Sequence, residues 1–175
     1  MGPFEVTNEV LSPTRYLQYV THPEAGAVTL FAGIVREWTN GKRTVYLEYE
    51  AYVPMAKKKL AEIGSDIQTK WPGTRIAIAH RIGILQISET AIIIAVSSPH
   101  RKVAYEANEY AIEQIKKNVP IWKKEIWEDG EKWVGGQTYK PSEGGSDDSS
   151  LLLCANERID EKKSRNDQLD SWNSR

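Results

Sequence analysis

The stretch "TAIIIAVSSPHRKVAYEANEYAIEQIKKNVPIW" (residues 90–122) decides how this chain folds. Its first nine residues, 90–98, are almost wholly apolar and rich in β-branched side chains. Such a run reads as a strand buried on both faces, hence central to a sheet. From Pro99 onward the period changes. Val103, Ala107, Ala111 and Ile115 recur at helical spacing, which predicts a helix over 99–118. Pro120 stops it, because the residue before a proline avoids the α region. The two Lys-Lys pairs, Lys116–Lys117 and Lys123–Lys124, are then expected to flank a tight Pro-Ile-Trp turn anchored by Trp122.

Upstream, "FEVTNE" predicts a short opening strand. Ser12 is placed to cap a first helix, with Pro13 at its first position and Tyr16, Leu17 and Val20 on one face. "GAVTLFAGIVRE" (26–37) predicts a strand that Gly33 interrupts, at a bulge or a close backbone approach. After the turn "TNGKR", the segment "TVYLEYEAY" (44–52) alternates, with Val45, Leu47, Tyr49 and Ala51 on one face. Pro54 opens a helix of about four turns, with Ala56, Leu60, Ile63 and Ile67 recurring, until "KWPGT" ends it. "RIAIAHRIG" and "LQIS" read as strands, and "EKWVGG" as a closing one. Strands and two long helices in this order, without regular βαβ alternation, give an α+β fold with mostly antiparallel pairing.

The chain has 175 residues, 40% of them hydrophobic, and a net charge of −1. That fits one globular domain over 1–139 and excludes the global basic field of a non-specific nucleic-acid binder. Residues 140–175, rich in Ser, Asp, Gly and charge, are expected to be a disordered tail. No apolar run is long enough for a membrane span, and "MGPFEVTNEV" is neither a secretory signal nor a myristoylation site. The single cysteine, Cys154, lies in the expected tail, so the folded domain is expected to hold no thiol. One cysteine fits a reducing, cytoplasmic setting. Three scattered histidines form no metal-ligand set, and no metal or other resident cofactor is expected.

Three places carry potential chemistry. His100 and Arg101 fall where the central strand gives way to a helix, and a helix start attracts anions. Arg36 closes the Gly33 strand, and its forked donors suit a phosphate. Lys116 and Lys117 suit a helix C-terminus in any case, but Lys123 and Lys124 follow the turn, where Trp122 fixes the direction of Lys123, and two rigid ammonium groups near one another depress each other's pKa. A lysine so depressed can act as acid, base or nucleophile. His80 reads as a structural histidine, and the tryptophans read as structural too.

"FAGIVRE", "YEAY", "HRIG", "SSPHRKVAYEA", "IKKNVPIWKKE" and "EKWV" occur in this order across roughly 4–137. Together they resemble the large, catalytic subunit of molybdopterin synthase. The resemblance implies an α/β hammerhead fold and a central homodimer. A small ubiquitin-like sulfur-carrier subunit docks at each end to complete a heterotetramer. It also implies a sulfurtransferase reaction. The carrier's C-terminal thiocarboxylate delivers two sulfurs in turn to cyclic pyranopterin monophosphate, giving the dithiolene of molybdopterin. The same resemblance makes Lys116 and Lys123 the catalytic pair, and Ile34, Val35, Arg36, His100, Arg101, Lys124 and Glu125 substrate contacts. Lys116 would meet the thiocarboxylate carbonyl or its acyl adduct, and Lys123 would move a proton at the pterin carbon. Arg36, His100, Arg101, Lys116 and Lys123 are expected to converge on one anionic guest. Two alternatives remain open: a non-enzymatic module that binds the tail of a ubiquitin-like partner or a phosphorylated ligand, and a small phosphate-metabolite hydrolase.

Overall fold

The computed structural model describes residues 2–134 of the chain. The tail expected over 140–175, with Cys154, lies outside them. Nine strands and three helices follow in order: β1 (Phe4–Thr7), α1 (Pro13–Val20), β2 (Ala27–Ile34), β3 (Trp38–Thr39), β4 (Lys42–Ala51), α2 (Val53–Lys70), β5 (Arg75–Arg81), β6 (Gly83–Gln86), β7 (Thr90–Ser98), α3 (Arg101–Asn118), β8 (Ile121–Trp127) and β9 (Gly130–Val134).

They form two sheets. The first has the order β1-β5-β7-β2, and the second β3-β4-β8-β9 with β6 paired to β4. Every pairing but the parallel β1–β5 is antiparallel. The expected α+β class with two long helices holds. The apolar run 90–98 is indeed interior: β7 lies between β5 and β2 and is buried almost throughout. Its even positions, Ile92, Ile94 and Val96, join a core beneath α2 and α3 with Leu60, Ile67, Ala107 and Ala111. Its odd positions, Ile93 and Ala95, pack under α1 with Tyr16 and Val20. This is the period-2 division that a doubly covered strand requires.

The register of β2 against β7 slips between Gly33 and Ile34, the bulge expected at that glycine. A Cβ on Gly33 would stand 2.6 Å from the Ile92 side chain. A second irregularity, between Thr44 and Tyr46, was not visible in the alternation of residues 44–52. It buries Thr44 and leaves Val45 exposed, while Leu47 and Tyr49 keep the inner face. Trp38 is 58% exposed rather than structural.

The larger correction falls on residues 121–127. The sequence reading made Pro120-Ile121-Trp122 a tight turn; the chain instead enters β8 immediately after the Val119–Pro120 link. Ile121, Lys123 and Glu125 alternate with Trp122, Lys124 and Ile126, and β8 pairs with both β4 and β9. The two lysines at its centre obscure that pattern in the text, because charge is depleted in strands.

Candidate functional site

The register of the first sheet fixes which end each candidate occupies. Ala27 lies across from Ser98 and Ile34 across from Thr90. His100 caps α3 and Arg101 is its first residue, so both stand at the Ala27 end. Arg36 stands beyond the Ile34 end, seven strand steps or about 23 Å away. The expected phosphate clamp of Arg36 with His100 and Arg101 therefore does not form within one chain.

Helix α3 leads back along the sheet toward Arg36. Thr29 Oγ1 donates to Ala104 O at 3.1 Å, and Asn108 Nδ2 donates to Ile94 O at 3.2 Å, opposite Phe31. Eight residues further along the helix, about 12 Å, Lys116 comes level with Ile34 and Val35. Its ammonium lies 3.7 Å from Glu113. Arg101 and Lys116 are thus about 22 Å apart along one axis. No single small guest reaches both ends of it.

Lys123 belongs to the Arg36 end. It pairs with Tyr49, whose ring meets His80 edge-on with centroids 5.1 Å apart. His80 lies across from Ile92, and Ile92 across from Gly33. Arg36, Lys116 and Lys123 therefore gather at one end of the domain, and His100 with Arg101 at the other. Arg36 Nε donates to Thr39 Oγ1 at 3.1 Å and remains exposed.

The neighbours of Lys123 differ from those the sequence implied. Its Nζ lies 2.7 Å from Glu125 Oε1, with the lysine side chain 30% exposed and the glutamate 7%. Lys124, one residue on, emerges on the opposite face, as strand alternation demands. There it pairs with Glu131 at 2.5 Å and lies over the Trp133 ring. Of the other expected contacts, Ile34 is exposed, whereas Val35 is buried with Leu47, Leu85 and Ala91. The Val35 backbone is also occupied: its N–H donates to Glu89 O and its carbonyl accepts from Ser88. Glu89 in turn accepts from the Gln86 N–H and then from Arg81 Nη1, which holds its carboxyl below the ordinary range.

Behind Lys123 stand the half-buried Tyr49 and the buried His80, whose link to the lysine the sequence did not reveal. Burial, and then the charge of Glu125, pushes the Tyr49 phenol up to about 12. Burial pushes the His80 imidazole down to about 4, against the opposing pull of its hydrogen bond to the Arg81 carbonyl. Nδ1 lies 2.8 Å from that oxygen, so Nδ1 carries the proton of the neutral ring. Among the described residues there is no cysteine and no cluster of side chains able to hold a metal ion. No helix is long and apolar enough to cross a membrane.

The family model for the MoaE protein matches residues 6–118. The chain belongs to the MoaE family. It is 64% identical over 137 residues to the molybdopterin synthase catalytic subunit of Bacillus subtilis (strain 168), covering 78% of this chain and 87% of that one. The crystal structure of molybdopterin synthase from Staphylococcus aureus superposes with a TM-score of 0.75 at 62% identity, over 77% of this chain and 98% of that one. The complex of subunits 1 and 2 of molybdopterin-converting factor from Helicobacter pylori 26695 matches at a TM-score of 0.64. It covers 76% of this chain and 90% of that one and, at 23% identity, speaks to fold alone. The mostly antiparallel α+β architecture inferred from sequence is thus the architecture of this family.

Proposed function

We propose that the chain is the catalytic subunit of a molybdopterin synthase, with its activity in residues 1–139. It works in the cytoplasm on cyclic pyranopterin monophosphate, with sulfur supplied by the thiocarboxylated C-terminus of a small ubiquitin-like subunit. The observation that carries this reading is the gathering of Arg36, Lys116 and the half-buried Lys123–Glu125 pair at one end of a region that contains no cysteine. A domain without a thiol has no side chain on which to hold a sulfur in transit. The sulfur must arrive on a partner, and the enzyme's part is to position, to neutralise charge and to move protons.

In this scheme Lys116 meets the carbonyl of the incoming thiocarboxylate, and Lys123 moves a proton at the pterin carbon. Glu125 fixes the ammonium of Lys123 instead of touching substrate, since its side chain is nearly sealed from solvent. His100 and Arg101, about 22 Å from Lys116, join the same site from a second copy. A two-fold axis beside the middle of α3 sets the start of that helix in one protomer against its end in the other, since an isologous interface pairs residue i with j and j with i. Each complete site then holds Arg36, Lys116 and Lys123 of one protomer and the His-Arg anion clamp of its mate.

The test is to mix the protein with thiocarboxylated small subunit and cyclic pyranopterin monophosphate and to follow the dithiolene product. Turnover by the parent chain and its loss in Lys123→Ala support the reading. Tight binding of the small subunit with no product from the parent chain would make the protein a binding module.

A further inference from the structure

The inner face of the second sheet holds a side chain that the chemistry above does not use. Tyr49 stands directly across from Lys123, so the two side chains leave the same face with their Cβ atoms about 5 Å apart. Two residues further along β8, on that face, Glu125 takes the lysine's ammonium at 2.7 Å. On the other side of Tyr49 the paired residue of β6 is Gly83, which offers no side chain. The tyrosine ring rests instead on His80 of the first sheet, edge-on with an interplanar angle of 66°. His80 is fixed in turn by its hydrogen bond to the Arg81 carbonyl and by its place between Val6 and Ile92. The ring contact thus joins the second sheet to the first beside Lys123, next to the apolar contact of Leu47 and Leu85 with Ala91.

A lysine side chain has four rotatable bonds and loses more rotamer freedom than most when it is held still. The buried Glu125 carboxylate holds only the ammonium end and leaves the four-carbon stem free to take other rotamers. A rigid ring beside the stem removes it.

We propose that Tyr49, seated on His80, is a positioning residue that confines the stem of Lys123 and so aims its ammonium at Glu125 and the site. The proposal rests on the function inferred above for what Lys123 does, but not for where Lys123 is held. It assigns the work to the ring, with the hydroxyl dispensable.

Two readouts on the full chain separate these points. The first needs no turnover. Lysines are acetylated with a water-soluble acetylating reagent and the rate at each site is read by peptide mass spectrometry, with exposed Lys57 as internal standard. Tyr49→Phe should leave the Lys123 rate within about two-fold of the parent, whereas Tyr49→Ala should raise it about five-fold or more as the stem is freed. The second readout is turnover. Tyr49→Ala should lower kcat about ten-fold with little change in KM, and Tyr49→Phe should restore it, the pattern of a misaligned catalytic group. Val96→Ala, a core truncation in β7, controls for a general loosening: it should lower Tm while leaving the Lys123 rate and kcat unchanged.

An unchanged Lys123 rate in Tyr49→Ala overturns the proposal, and so does an equal increase in Val96→Ala. If Tyr49→Ala fails to fold, Tyr49→Leu takes its place under the same criteria. A parent protein without turnover would refute the proposed function and leave the labelling rates to decide the positioning claim.

Discussion

Acidifying the protein from pH 7 to pH 5 is expected to cost the fold about 2 kcal/mol through one side chain, His80. Its imidazole ordinarily titrates near 6.5 but is held at about 4 in the folded protein, chiefly by burial. The folded state therefore keeps the ring neutral, while the unfolded chain takes up a proton as the pH drops below 6.5. Stability is complete above that value, falls as the pH descends, and levels off only near 4, where the native ring also charges. The loss between pH 7 and 5 follows from the ratio of the two binding polynomials and comes to about 2 kcal/mol. For a domain of this size that corresponds to a fall in Tm of roughly 8 °C. Thermal unfolding at half-unit pH steps measures it. His80→Asn keeps a side-chain N–H to offer the Arg81 carbonyl but has no proton to gain, so its stability should be nearly flat across the same window. Parallel losses in the parent and in His80→Asn would show that the ring is not held neutral by the fold.

The other expectations follow the geometry. Lys123→Ala should lower kcat about a hundred-fold or more, as loss of a proton-transferring group does, and Lys116→Ala should lower product formation strongly without displacing Tm. Glu125→Gln keeps the shape of the buried side chain but not its charge, and about a ten-fold fall in kcat is expected as Lys123 loses its ionic partner. Gly26→Ala would set a Cβ 2.3 Å from the Pro99 carbonyl oxygen, a backbone atom that no rotamer change can move. Differential scanning calorimetry should show a cost of about 1–3 kcal/mol.

Much of the architecture was legible in the sequence because it rests on period. The doubly buried β7 is an unbroken apolar run, and the stripe on α3 follows 3.6-residue spacing, so class and order could be read directly. Gly33 announced its bulge because glycine is rare inside strands without cause. The bulge at Thr44–Tyr46 contains no glycine and left no trace. β8 was hidden for a different reason: its apolar and charged residues do not alternate cleanly. Both faces are partly buried, and the inner one carries an ion pair. That concealment affected the site directly, because reading a turn there put Lys123 and Lys124 side by side, when a strand sets them on opposite faces. Tyr49 and His80 were visible as inner-face residues, but their link to Lys123 depends on strand register, which no local pattern encodes. The separation of His100 and Arg101 from Lys116 was available by counting residues along one helix. The match of motifs to a known family drew attention to which residues belong to a site rather than to which copy supplies them.

The composite site is the claim on which the rest depends, and heterodimer complementation tests it most directly. Two differently tagged chains, one carrying Arg101→Ala and the other Lys123→Ala, are co-expressed and the mixed dimer is isolated through both tags. If each site draws on both protomers, one of the two sites in that dimer combines both lesions and the other is intact. Dithiolene formation should then reach about half the parent rate, although each homodimer is nearly inactive. A mixed dimer as inactive as the two homodimers would contradict the account.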